Sequence, residues 1–387
     1  MGRFGSGLVA DADLVYAAEG ATKAALSTLG GVEPTLVCAF VCGPDPQAVE
    51  DAFTRVSSMC NGATTLGCSA GGVIGDERAA EGVSAVSVWA AALPRTEVRT
   101  FHLEVMRTPE SLAILGLPEH ADDADLCLLL ADPYSFPADG FVSRFNDTAP
   151  GLPVAGGLAS GRLGHGGTRL LVDGRVVDRG AVGALIRGSA TATTIVSQGC
   201  RPIGPTMVVT RSEDNVVLEL AGVSAVHKLE EIVSELPAEE QALASRGLQI
   251  GIAMDEYAEV HERGDFLVRA VMGVDKEREG LVVGDHVEVG RTVRFQVRDA
   301  QAAEDDLRDV LAGPALLGGP GLVEGALLFS CNGRGAALFP NADHDALALA
   351  ESFGHAPVAG FFAAGEIGPV GGRNYLHGFT ASIVAFG

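Results

Sequence analysis

The sequence predicts an α+β fold of two domains, with mixed sheets that contain diverged strand–helix–strand units. Three observations lead there. An apolar strand runs into a glycine turn at Pro153–Gly161 and again at Pro357–Gly365, with a looser copy at Thr65–Gly72. Each copy follows an earlier apolar strand and an amphipathic stretch, the pattern of a parallel pair joined by a right-handed crossover helix. Between the copies, short apolar runs separated by turn residues add further strands. The copies are too far apart for a solenoid array, so they read as duplication followed by divergence.

Taken in order, residues 12–29 read as a leading helix, with Asp13 placed to cap it and Gly30 and Gly31 to end it. The first unit is strand Leu36–Phe40, helix Gln47–Met59 and strand Thr64–Gly67. Val83–Leu93 and Glu97–Glu104 follow as paired strands connected through Pro94. The second unit is strand Leu126–Leu130, helix Gly140–Asn146 and a strand from Pro153. Thr168–Val172, the Asp173-Gly174 turn and Arg175–Val177 carry the strongest hairpin signal, because Asp-Gly accepts the positive φ angles of a type I′ turn. Ala181–Ile186 adds a strand. The pattern pauses at Gln198–Pro202, which gives a leading helix in 1–30, a first domain in 31–200 and a second in 201–387. The second domain starts with strands Thr206–Thr210 and Val216–Leu220 and helices Ser224–Glu235 and Ala238–Ser245. Strands Leu248–Met254, Phe266–Val274 and Arg291–Val297 and a helix Ala300–Leu311 come next. A Gly-Pro-rich linker, Gly313–Gly321, leads to the third unit, strand Ala326–Phe329, helix Asp343–Phe353 and the strand from Pro357. Leu376–Phe386 closes as a strand pinned into a sheet.

Of the 387 residues, 47% are hydrophobic and 20% charged, which supports substantial cores and excludes a disordered chain. Apolar stretches such as Val83–Leu93 stop well short of the about 20 residues of a spanning helix. The N-terminus lacks the apolar segment of a secretory signal, so a cytoplasmic location is expected. A formal charge of −23 repels nucleic acid and anionic lipid at long range, and no basic run offsets it. The expected partners are small solutes and proteins, not nucleic acid or membrane. Seven cysteines without a CxxC pair, and nine scattered histidines, predict buried free thiols and no metal site. No cofactor is expected: Gly156–Gly167 is glycine-rich but lacks the Lys-Ser/Thr of a phosphate loop.

Several unusual motifs occur together. They are Gly67–Gly75, Arg269–Asp275, Phe295–Ala300, Phe329–Gly335 and Gly365–Gly378. In this order, over nearly the whole chain, they resemble the FIST family in both its N-terminal and C-terminal domains. The resemblance implies a sensory module of signal-transduction proteins that binds a small ligand such as an amino acid. No kinase, cyclase or F-box segment is joined to it, so the resemblance further implies a stand-alone sensor relaying to a separate signalling protein in trans.

The residues offer candidate chemistry of their own. Gly67–Gly71 satisfies G-x-S-x-G, but a nucleophile elbow needs a helix after its serine, and the strand from Val83 leaves no room for one. A plain glycine turn is predicted. Ser69, Gly71 and Ser160 follow strands through equivalent turns and are expected near the inter-domain or ligand cleft, at strand ends where open sheets bind. Cys331 ends an apolar strand, and Asn332, Gly333 and Arg334 place an amide, bare backbone and a cation beside it. A packed, a ligand-facing and a catalytic thiol all stay open, the last without a visible base. A cysteine-dependent enzyme acting on a small amide or thioester through Cys331 is the alternative to a sensor. Gly365–Gly378 combines five glycines with Glu366, Arg373, Asn374 and His377. Glycines let backbone amides approach a ligand, and a guanidinium can grip a carboxylate in a fork, so these four are expected as polar contacts above Phe361 or Phe362. The competing reading is a structural turn in which Glu366 and Arg373 satisfy each other. Arg269 and Asp299, charges in and at the end of apolar strands, are expected in structural ion pairs.

Overall fold

The computed structural model describes residues 2–108, 112–188, 191–258, 260–261, 263–313 and 322–387. It divides into two compact units, one of residues 1–197, 307–376 and 380–387, the other of residues 198–306 and 377–379. The linker expected at Gly313–Gly321 lies, beyond Gly313, outside the described residues.

The larger unit repeats one pattern three times. The first repeat runs β1 (Arg3–Ala10), α1 (Leu14–Ser27), β2 (Leu36–Cys42), α2 (Pro46–Met59), β3 (Thr64–Ala70), β4 (Gly72–Gly75), β5 (Arg78–Glu81) and β6 (Ala85–Ala92). The second runs β7 (Thr96–Arg107), β8 (Leu112–Leu115), β9 (Leu126–Ala131), α3 (Ala138–Thr148), β10 (Val154–Leu158), β11 (Leu170–Val172), β12 (Arg175–Val177) and β13 (Ala181–Gly188). The third opens with β14 (Ala192–Gln198), after which the chain forms the smaller unit.

That smaller unit contains β15 (Cys200–Pro202), β16 (Met207–Glu213), β17 (Val216–Leu220), β18 (Val223–Ser224), α4 (Ala225–Glu235) and α5 (Ala238–Arg246). It continues with β19 (Leu248–Ala253), β20 (Phe266–Asp275), β21 (Gly280–Val283) and β22 (Thr292–Arg298). The third repeat then resumes through α6 (Ala300–Ala312), β23 (Gly325–Cys331), α7 (Gly335–Leu338), α8 (His344–Ser352), β24 (Val358–Ala363), β25 (Glu366–Val370), β26 (Arg373–His377) and β27 (Thr380–Phe386).

Strand order is the same in each repeat: β1-β6-β2-β3, β8-β7-β13-β9-β10 with one extra edge strand, and β14-β27-β23-β24. The two crossover strands are parallel in all three, and the closing strand lies antiparallel to the first of them. The hairpin after each second crossover strand never joins its own sheet. β4–β5 extends the third sheet beside β24, β25–β26 the second beside β10, and β11–β12 the first beside β3. The repeats thus exchange hairpins in a closed cycle.

One glycine per repeat makes the parallel pairs possible. Gly67, Gly156 and Gly360 stand opposite Ala39, Leu129 and Leu328, where a Cβ would lie 2.1, 1.9 and 1.7 Å from the facing carbonyl oxygen. Only a residue without a side chain lets the strands close to pairing distance. The helices follow from local rules as well. Asp13 accepts from the backbone N–H groups of Val15 and Tyr16 at the start of α1, and Asp45 caps α2 ahead of Pro46 at its first position.

Alternation along β2 sorts its side chains into two cores. Cys38 and Phe40 enter a core shared by all three sheets, while Val37, Ala39 and Val41 face Ala17, Val49 and Phe53 of α1 and α2. In the shared core Phe40 stacks on Phe361 with ring centroids 5.1 Å apart, and Trp89 lies 5.2 Å from Phe386. α3 covers the second sheet through Phe141 and Phe145, and α6 and α8 cover the third through Leu307, Leu349 and Phe353.

One sequence expectation is corrected here. Val83–Leu93 and Glu97–Glu104 do not pair with each other: β6 lies between β1 and β2, and β7 between β13 and β8. Each strand is claimed by the crossover unit of its own repeat, and the short link through Pro94 carries the chain from one sheet to the next. The Asp173-Gly174 hairpin forms as expected, with φ of +47° and +72°.

In the smaller unit, β22, β16, β17, β21, β20 and β19 pair in sequence and β19 returns to β22, closing a barrel. Its core gathers Met207, Val217, Ile250, Leu281 and Phe295. Arg269 donates to Asp285 at 2.6 Å, and Asp299 accepts from Arg201 at 2.9 Å, so both expected ion pairs exist with partners of their own. Among the described residues no helix is long and apolar enough to cross a membrane.

Candidate functional site

The strand registers put Cys42, Asp132 and Cys331 at equivalent positions, each the last or next residue beyond the first crossover strand and each buried. The turns that end the second crossover strands lie beside one another in the larger unit. Ser160 ties them together: its hydroxyl accepts from Gly71 N–H at 3.0 Å and donates to the carbonyl of Phe362. Leu158 N–H donates to Gly365 O at 2.8 Å, and Ala364 N–H to Leu158 O at 2.9 Å. One turn from each repeat therefore shares a single backbone network.

Around this junction the three equivalent positions have diverged. In the second repeat, Asp132 accepts from Thr168 Oγ1 at 2.7 Å and from Ser135 Oγ at 2.5 Å, so the carboxylate is held by internal donors. In the third, Cys331 adjoins Glu366. Glu366 is fully buried and accepts from Thr380 N–H at 3.1 Å and Thr380 Oγ1 at 2.9 Å through Oε2. Burial pushes its carboxyl up to about 8, against the pull of the Thr380 and Cys331 hydrogen bonds and the charge of Arg334. Arg334 is itself turned inward, its Nε and Nη2 gripping Asp345 at 2.8 and 2.9 Å with no exposed side-chain surface. Burial alone would raise Asp345. The Arg334 charge and hydrogen bonds from His344, Arg334 and Ser330 outweigh it and hold the carboxyl far below its ordinary range.

In the first repeat the equivalent place is open. Cys42 lines a cavity of about 480 Å³ together with Gly43 and Pro44 before α2, Ala70 at the end of β3 and Gly71 beyond it, Gly82, Val83 and Ser84 after β5, and Gly161 and Arg162 from the second repeat. Gly161 and Arg162 belong to a loop, residues 159–169, that is much longer than the turns at Gly71 or at Ala364–Gly365. Its base is fastened by Ser160 and by Ser69, whose Oγ accepts from Arg169 N–H at 2.9 Å. The size suits a small-molecule pocket, and bare glycine backbone on three walls gives a ligand direct access to peptide groups.

The candidate residues thus fall into groups. Gly71 lines the cavity, and Ser69 and Ser160 buttress it. Ser69 lies within β3, and β4 starts at Gly72, so no helix follows the serine. Cys331, Arg334 and Glu366 form a separate buried cluster, with Asn332 exposed beside it. The Gly365–Gly378 stretch is the β25–β26 hairpin, turning at Gly371 and Gly372 with positive φ. Arg373 is exposed just beyond that turn, so Glu366 is satisfied by Thr380 and not through a pair with Arg373. Asn374 is buried and bonds Val154 N–H, Leu152 O and Asn146, which fastens the hairpin to the second repeat. His377 is buried and falls within the smaller unit. All seven cysteines are buried and outside any disulfide, Cys42 and Cys331 being the least buried at 6% exposure.

Sequence reasoning missed Cys42, Val83, Arg162, Asp132 and Asp345. Aligning the three units on their glycines would have matched Cys42 and Asp132 with Cys331. For Arg162 and Asp345 no local signal exists.

Models of known families match the FIST N domain over residues 35–223 and the FIST C domain over residues 225–369. An uncharacterized protein of Mycobacterium tuberculosis (strain ATCC 25618 / H37Rv) is 43% identical over 385 residues, 99% of each chain. An uncharacterized protein of Mycobacterium bovis is 41% identical over 385 residues, covering 99% of this chain and 98% of the relative. FIST domains are associated with sensory signal transduction. With both domains matched in order across nearly its whole length, the chain belongs to the FIST family.

Proposed function

We propose that the protein is a cytoplasmic sensor that binds a small ligand in the Cys42–Gly71–Arg162 cavity and relays its occupancy to a separate signalling protein. The observation that carries this reading is divergence among equivalent positions. Two of the three strand ends are taken up by internal partners, at Asp132 and at Cys331–Glu366, while the first opens into a cavity. Family membership supports a sensory role, and amino acids are one ligand class to screen. The cavity wall includes the junction where all three repeats meet, so a ligand that shifts Gly71 or Gly161 acts on the whole network through Ser160. Val83 is half exposed on the wall, and Val83→Trp fills the cavity without touching a core. A ligand found by thermal-shift screening should lose binding in this variant while its unliganded melting temperature stays put. Unchanged affinity overturns the assignment.

A second reading is favoured by one observation, the Glu366 carboxyl hydrogen-bonded to the Cys331 thiol. Once ionised, above about pH 8, that carboxyl can take up the thiol proton, an acceptor the sequence did not reveal and that a cysteine enzyme acting on a small thioester or amide requires. Thioester hydrolysis lost in Cys331→Ala and kept in Val83→Trp would establish it.

A further inference from the structure

We propose that the cavity selects a small apolar-bodied monoanion, such as a simple carboxylate, over a zwitterion. This rests on the cavity being the ligand site. The protein carries 50 acidic residues and a formal charge of −23, yet the ten residues of the cavity wall include no aspartate or glutamate and one charged side chain, Arg162. The rest of the wall is glycine, Pro44, Val83, Ala70, Cys42 and Ser84, which offer peptide groups and apolar surface. The acidic residues next along the chain are committed elsewhere. Asp45 Oδ1 accepts from Gln47 N–H at 3.1 Å, and Glu81 Oε2 accepts from Ala336 N–H at 2.8 Å. A carboxylate finds a guanidinium and peptide groups there, whereas an ammonium group finds no carboxylate on the wall itself; Glu81, whose charge reaches Cys42, is held outside the wall by Ala336 N–H.

The test compares butyrate and benzoate with butyramide, benzamide and 2-aminobutyrate, by calorimetry on the full chain, on Arg162→Gln and on Val83→Trp. The carboxylates are expected to bind, and the amides and 2-aminobutyrate to bind at least about tenfold more weakly, the scale of one charge-assisted contact. Arg162→Gln should weaken the carboxylates by about 10- to 100-fold and leave the amides unchanged. If 2-aminobutyrate or the amides bind as well as the carboxylates, or Arg162→Gln has no effect, the anion preference is wrong, while abolition by Val83→Trp still upholds the cavity. If neither carboxylate binds, the preference is overturned. Binding that Val83→Trp leaves intact overturns the cavity assignment as well.

Discussion

Glu366 is a carboxyl whose folded environment favours its neutral form. Burial raises it from 4.5 to about 8, so the folded chain keeps a proton that the unfolded chain releases. The sign follows from that difference: the contribution to stability is full below pH 4.5 and is lost as pH rises towards 8. The melting temperature should therefore fall between these limits through this residue. Glu366→Gln keeps the shape without the charge, so it should flatten that slope and raise the melting temperature at pH 8 relative to the parent. Parallel pH profiles of the two proteins would refute the assignment. At this scale the sequence showed that Glu366 sits at the head of a polar, glycine-rich stretch, but not which groups face it. Cys331 is 35 positions earlier, and Thr380, its donor, opens β27.

The third repeat holds a second buried charge, and its logic belongs to the elements. Arg334 at the start of α7 and Asp345 in the first turn of α8 meet as a bidentate pair, with Ser330 of β23 donating to the same carboxylate at 2.7 Å. Phe339 stacks on His344 with ring centroids 3.5 Å apart and closes the cluster. The pair fixes both helices of the crossover to the strand they follow. Removing one partner leaves a charge without compensation in a dry site, so Asp345→Asn should cost about 3–5 kcal/mol in urea unfolding. An effect below about 1 kcal/mol, the size expected of a surface pair, would show that the site is wet. The crossover helices themselves were legible: 47–59 and 343–353 were expected, and α2 and α8 span Pro46–Met59 and His344–Ser352. They announce themselves through capping residues and apolar faces, both local properties. The Arg334–Asp345 pair does not, because a charged residue looks the same in sequence whether it faces solvent or a partner.

Across the whole molecule, the cyclic exchange of hairpins makes distant segments depend on each other. Residues 325–387 supply three of the six strands of the third sheet and also β25–β26 to the second, while β14 and, from the first repeat, β4–β5 complete the third. A truncated chain of residues 1–198 would leave β4 and β10 with unpaired edges and expose Phe40, Trp89 and Leu128, which the shared core buries. It should accumulate as an aggregated or molten species, detectable by loss of near-ultraviolet dichroism with the far-ultraviolet signal retained. A cooperative melt from this fragment would mean that the first two repeats form an independent domain.

The amino-acid sequence by itself determined the α+β class, the three strand–helix–strand units, the Asp173-Gly174 hairpin and membership in the FIST family. Each is written in local pattern: alternation, capping residues, turn residues and motifs in order. It did not determine that the third unit lends its hairpin to the second sheet and takes one from the first unit, that β6 and β7 part company, or that the second part of the chain closes a barrel. Those outcomes depend on which strand edge each segment finds, and the apolar face of a strand carries no address for its partner. The site divided along the same line. Glycine turns at Gly71, Ser160 and Gly365 were visible because bare backbone is a property of the residue. That Cys42 opens onto a cavity while Asp132 and Cys331 are enclosed was decided only by tertiary structure, which sets the neighbours that fill or leave empty the space at each strand end.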